Sequence, residues 1–531
     1  MGTRRDFLQT AGVIGVGLIA NELVGNRDLS IAMSAGSNAE SIVMMDGVAL
    51  SKAIHSKEVS CREVIAAYLD HIARINPKVN AIVSLQDRDG LVKQAEERDA
   101  QLARGESMGW MHGFPHAVKD LEATKGIRTS YGSPLADGVP DHDAILVERL
   151  RNSGAILIGK TNVPEFGLGS QSYNPIFGVT RNAYAQTKTA GGSSGGAAAS
   201  LALRMLPVAD GSDYMGSLRN PSAFNNVIGF RPSFGRVPEG PGGEVYLASP
   251  STAGPMGRSV RDVALLLSVI GGPDERVPLS IEQDPAMFTG PLERDFRGTK
   301  LGWLGDLGGR LPFESGILDL CKQSFKAFES FGCTVDEARP DYSMERLWHT
   351  HLTIRHWLTA ARLGGFYADP TKRAKLKSEA QWEVKGGLGL TGADVSKAFA
   401  ARTEWYAAAR KLFSQFDYLL IPSAQVFPFD ADLHWPNSVN GVAMDTYHRW
   451  MEVMVPATLL DCPVIGMPVG FNAAGLPMGV QIIGKNHADF AVLQIAYAYE
   501  QATNWVQKQL PPLLMAKPQV SDSPVGTSSP A

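Results

Sequence analysis

Short apolar runs alternate along this chain with longer stretches in which apolar residues recur every three or four positions. Val64, Ile65, Tyr68, Leu69 and Ile72 have helical spacing. They follow Ser60 and Glu63, which form a capping box, and Asn76-Pro77 stops the pattern. Further helices are predicted over residues 91–103, 143–152 and 260–270, and from 489 to about 501. Gly105 ends the first of these, and Ser259 with Asp262 opens the third. Between them lie apolar runs short enough for buried strands: residues 116–121, 155–158, 206–209, 227–230, 301–304, 464–471 and 479–484. Strands alternating with helices predict an α/β fold, layered α/β/α around a mixed, largely buried sheet.

The texture changes over residues 342–454, where helical patterns dominate. Six of the nine tryptophans fall here (Trp348, Trp357, Trp382, Trp405, Trp435 and Trp450), so the segment reads as an inserted helical cap. No long linker interrupts residues 44–510, which therefore read as one large domain carrying that insert. Residues 517–531, rich in Ser, Pro, Gly and Val, read as a disordered tail.

Charge and cysteine usage narrow the functional classes. A formal net charge of −4 and a pI near 6.3 give no basic footprint for nucleic acid. Cys61, Cys321, Cys333 and Cys462 show no C-x-x-C spacing and read as small buried hydrophobes. At the N-terminus, Arg4-Arg5 precedes an apolar stretch over residues 11–20, then Ser30-Ile31-Ala32, a small-x-small cleavage site. The run is shorter than the ~20 residues that span a bilayer. Residues 1–35 are therefore expected to be a twin-arginine-type signal peptide, with a periplasmic or secreted product that is not inserted in a membrane.

The most unusual segment is Ala190-Gly191-Gly192-Ser193-Ser194-Gly195-Gly196, followed by an alanine run that reads as a helix start. A phosphate-binding loop would need a Gly-Lys-Ser/Thr ending, which is missing. A nucleophile elbow built on Ser194 matches G-x-S-x-G, but residues 182–189 form a polar loop where the elbow needs an apolar strand. A second small-residue loop follows at Gly211-Ser212-Asp213-Tyr214-Met215-Gly216-Ser217. Upstream stands Gly113-Phe114-Pro115-His116-Ala117-Val118-Lys119-Asp120.

Together with Gly159-Lys160-Thr161-Asn162-Val163-Pro164-Glu165 and the stretch from Asp461-Cys462-Pro463 to Gln481, these segments resemble the amidase signature family across roughly residues 44–505. The resemblance implies that Ser217 is the nucleophile, Ser193 a proton relay in a cis peptide linkage, and Lys119 a buried base. It implies an oxyanion hole from the backbone N–H groups of Tyr214, Met215, Gly216 and Ser217. The chemistry is coherent: a serine hydroxyl needs a base, and burial lowers the pKa of a lysine until it can act as one. Standing alone, Lys119 would read as a surface lysine paired with Asp120. Asp213 and Arg219 flank the nucleophile loop and read as its structural clamp. Met215 stands where the family more often has glycine, and Asn182-Ala183 where it often has Asn-Pro.

The expected reaction is hydrolysis of a carbon–nitrogen amide bond in a small molecule, to an acid and ammonia or an amine, through an acyl-Ser217 intermediate. No cofactor is called for. His349, His351 and His356 lack ligand-pair spacing, so no metal is expected. Rival readings are an aryl-ester or carbamate hydrolase with the same residues, a non-catalytic binding protein, and an amidotransferase-like subunit. Tyr131, Tyr173, Tyr214, Met215 and part of the Trp-rich segment are the expected pocket lining, suited to aromatic or aliphatic acyl groups. A homo-oligomer is compatible with the sequence.

Overall fold

The computed structural model of the protein describes residues 39–242, 244–247 and 249–515. The expected signal peptide and C-terminal tail lie outside the described residues.

Eight strands form the central sheet, in the order Thr334–Glu337, Lys300–Trp303, Tyr418–Pro422, Pro477–Ile483, Val464–Phe471, Ile228–Arg231, Thr252–Gly257, Ala209–Asp213. The first three run parallel and the rest pair antiparallel, which makes the sheet mixed. Its middle strands, Tyr418–Pro422 and Pro477–Ile483, are buried at every position. Burial on both faces is why their residues are almost all apolar rather than alternating. A smaller sheet joins Ile82–Val83, Ile156–Thr161 and Pro115–Lys119. This is the layered α/β fold expected from the alternation of elements.

Close backbone approach sets the short helix Arg219–Asn225 onto the sheet. A Cβ at Gly229 would lie 2.2 Å from the Leu218 carbonyl oxygen, so a side chain there would lift the helix away. Most local signals hold. Ser60 and Glu63 form the capping box of helix Cys61–Ile75, and Ser259 caps Val260–Ile270 by accepting from the Asp262 N–H.

Two expectations need correction. Residues 206–209 do not form a strand; the strand is Ala209–Asp213, whose polar side chains hid it. Residues 342–454 are also not wholly an insert. Helices Met344–Ala368, Ser378–Leu388 and Gly392–Phe413 fit that description, but Tyr418–Pro422 belongs to the central sheet. Trp348, Trp405 and Trp450 are core residues, each 1% exposed.

Candidate active site

Lys119 ends a strand that is buried throughout, Pro115–Lys119. Its backbone N–H donates to the Asp210 carboxylate (3.1 Å to Oδ2), and the His116 ring lies 2.9 Å from the same carboxylate. Asp210 thereby ties the small sheet to strand Ala209–Asp213 of the large one. The Lys119 side chain is fully buried and does not pair with Asp120, which accepts from Ser130 instead.

The four hydrogen-bond partners of Lys119 Nζ are neutral oxygens: Ser193 Oγ and Ser194 Oγ at 2.8 Å, Ser212 Oγ at 3.0 Å and the Ser212 carbonyl at 3.1 Å. Burial pushes the lysine pKa down to about 8, although the carboxylates of Asp210, Glu122, Asp213 and Glu239 pull the other way. The Gly192–Ser193 peptide bond is cis.

Ser217 sits in the turn between strand Ala209–Asp213 and helix Arg219–Asn225. Its carbonyl accepts the Ser194 N–H at 3.2 Å, which fastens the two serine loops together. Asp213 clamps the turn: its carboxylate accepts from the N–H groups of Gly216 (2.8 Å) and Leu218 (3.0 Å) and from two nitrogens of Arg219 (3.0 and 2.9 Å). Arg219 continues to Gln481 and Thr458. Burial alone would raise the Asp213 pKa, but Arg219 and Arg231 hold it far below the usual carboxylate range. Gly216 has a φ of +90°, and a Cβ there would lie 2.6 Å from Met454 Cγ, so glycine is required on both counts.

A cavity of about 580 Å³ opens over Ser217. Leu121, Phe166, Leu168, Tyr214, Glu239 and Trp357 are among its lining residues. Ser194 is fully buried and does not line it. Helix Met344–Ala368 supplies one wall through Arg355, Trp357, Leu358 and Arg362, so the Trp-rich segment does reach the site.

Several expected site residues are placed elsewhere. Of the four pocket residues read from the sequence, only Tyr214 lines the cavity. Tyr131 packs against the Phe166 and Leu168 cluster, while Tyr173 donates to Glu379 and stacks on His434. Met215 is 4% exposed, turned into the main core. The Gly216 N–H is taken by Asp213, which removes it from the expected oxyanion hole. Among the described residues, the N–H groups of Tyr214, Met215 and Ser217 have no acceptor.

Arg355 and Glu239 escaped the sequence reading. Arg355 lies mid-helix without a motif. Glu239 lies in the Pro-Gly-rich stretch Pro238-Glu239-Gly240-Pro241, which reads only as a loop. Among the described residues, no group of three or more His, Cys, Asp or Glu side chains is arranged to hold a metal. His351 instead packs against the Tyr214 ring, and His356 lies 2.8 Å from the Glu383 carboxylate.

Comparison with known proteins gives this geometry its context. An amidase family model matches residues 63–493. An acylamidase of Rhodococcus erythropolis is 31% identical over 87% of this chain and 96% of its own. The A-subunit of the glutamyl-tRNA(Gln) amidotransferase of Alkaliphilus metalliredigens is 32% identical over 89% of this chain and 98% of its own. The crystal structure of a bacterial aryl acylamidase of the amidase signature family superposes with a TM-score of 0.82 at 27% identity, covering 90% of this chain and 100% of that one. The chain belongs to the amidase signature family.

Proposed function

We propose that this amidase works through an acyl-enzyme on Ser217, with Ser193 as the proton relay and Lys119 as the base. The observation that carries the reading is Lys119 Nζ, buried among neutral oxygens and 2.8 Å from Ser193 Oγ, beside a cavity that Ser217 lines. With its pKa lowered to about 8, a fraction of this lysine is unprotonated near neutral pH and can take a proton. Ser193 can donate and accept in turn. Ser217 attacks the amide carbonyl and its proton passes through Ser193 to Lys119. The amine leaves with a proton returned along the same path, and water then releases the acid. The free N–H groups of Tyr214, Met215 and Ser217 are the candidate oxyanion donors.

A fluorophosphonate probe followed by peptide mapping tests the assignment. Label is expected on Ser217, and Ser217→Ala should lose roughly 10⁴–10⁶-fold in kcat. Label on Ser194 would overturn it. The amidotransferase relative favours a second reading, in which the chain works only with partners. Turnover of small amides by the purified chain alone separates the two.

The proposal includes export. Arg4 and Arg5 before the apolar residues 11–20 are its basis. Replacing both with Lys should retain folded enzyme inside the cell, and undiminished export would contradict it.

A further inference from the structure

Charge is unevenly settled around the cavity. On the wall formed by helix Met344–Ala368, Arg355 donates to Glu383 and Tyr447, and Arg362 donates to the Phe166 carbonyl at 2.9 Å. Glu244 accepts from the N–H groups of Tyr246 and Leu247. Glu239 differs: its Oε1 is buried without a hydrogen-bond partner among the described residues, and its side chain lines the same cavity as Ser217. The neighbouring cations are engaged elsewhere, Lys119 with its serines and Arg231 with Asp213 and Pro250. A buried carboxylate oxygen with no donor is costly unless something supplies one.

We infer that Glu239 is a specificity residue that receives a cationic group, an ammonium or guanidinium, carried by the amide substrate. The inference rests on the amidase reading of this cavity. Apolar Leu121, Phe166, Leu168, Trp357 and Leu358 would enclose the carbon chain between the cation and the scissile amide. Burial pushes the Glu239 carboxyl pKa up, against the Ala253 backbone and the more distant Arg231 and Lys119, and a bound cation would draw it down again. Glu239 does not carry the proton, but its charge also raises the pKa of Lys119, so its role is read from binding and not from rate.

Matched ligands test this on the full chain carrying Ser217→Ala, which prevents turnover. 5-Aminopentanamide is compared with hexanamide for a cation on the acyl side. N-(4-aminobutyl)acetamide is compared with N-pentylacetamide for a cation on the amine side. Calorimetry should show the cationic member binding about tenfold or more tightly in at least one pair. Glu239→Gln, close in shape but without charge, should remove that preference while leaving the neutral ligands within about threefold. Equal binding within both pairs, or a preference that survives Glu239→Gln, overturns the inference. A Glu239 that acts as a neutral donor gives the same overturning result, because glutamine also donates. Turnover by the Ser217-containing protein is measured separately. Cation-selective binding without hydrolysis would sink the amidase reading and leave the Glu239 site standing.

Discussion

Two buried basic side chains meet near one cavity and are treated in opposite ways. Lys119 touches hydroxyls and a carbonyl, and burial brings its pKa to about 8. Arg355 is also buried, and burial opposes its charge, but the Glu383 carboxylate and the Tyr447 hydroxyl hold the guanidinium, which stays cationic. Its Nε lies 2.5 Å from Glu383, and its guanidinium lies 5.1 Å from the Tyr214 ring centroid. The contrast is in the side-chain type and the partners rather than the depth: an ammonium can lose its proton on burial, whereas a guanidinium does not. Neutral partners leave a base able to exchange protons, whereas a carboxylate partner makes a fixed strut.

Breaking the strut should have the largest effect on the fold. Glu383→Ala leaves Arg355 buried and unpaired, and urea unfolding should show a loss of about 3–5 kcal/mol. Unchanged stability would mean that Arg355 finds water or another acceptor. Making Lys119 resemble Arg355 sharpens the comparison. Ser194→Asp places a carboxylate in contact with Nζ and should raise the lysine pKa by about 1–3. Because the working form is unprotonated, the acid limb of the rate profile should move to higher pH by the same amount. A limb that stays in place would show that Lys119 does not set it. The smallest effect is expected from Tyr447→Phe, which removes a hydroxyl bonded to Glu383 at 2.6 Å and to Arg355 at 2.7 Å. About 1 kcal/mol of stability should be lost, with kcat nearly unchanged.

The sequence made the Lys119 half of this comparison legible and hid the Arg355 half. Lys119 alone would read as a surface lysine, but together with the two glycine–serine loops it carries a family resemblance that survives without coordinates. The clamp between Asp213 and Arg219 was readable because its members are six residues apart. Glu383 and Tyr447 reach Arg355 from 28 and 92 residues away, and no local periodicity reports such a meeting. The strand Ala209–Asp213 was misplaced because its residues are polar and small, selected by the site rather than by sheet propensity. Met215 misled in another way. A large apolar side chain beside the nucleophile suggests a pocket wall, but the strand exit turns it into the core.

The central claim is that neutral Lys119 drives the reaction through Ser193. The most direct test is kcat/KM against pH for the unaltered protein, Lys119→Ala, Ser193→Ala and the double variant, with folding checked in each. The unaltered protein should gain about tenfold per pH unit below the lysine pKa, then level off above about 8. Lys119→Ala should lose roughly 10²–10⁴-fold and its acid limb. The double variant should be little worse than either single one, because the two residues act as a unit. A Lys119→Ala protein that keeps the full rate and the same limb would contradict the account.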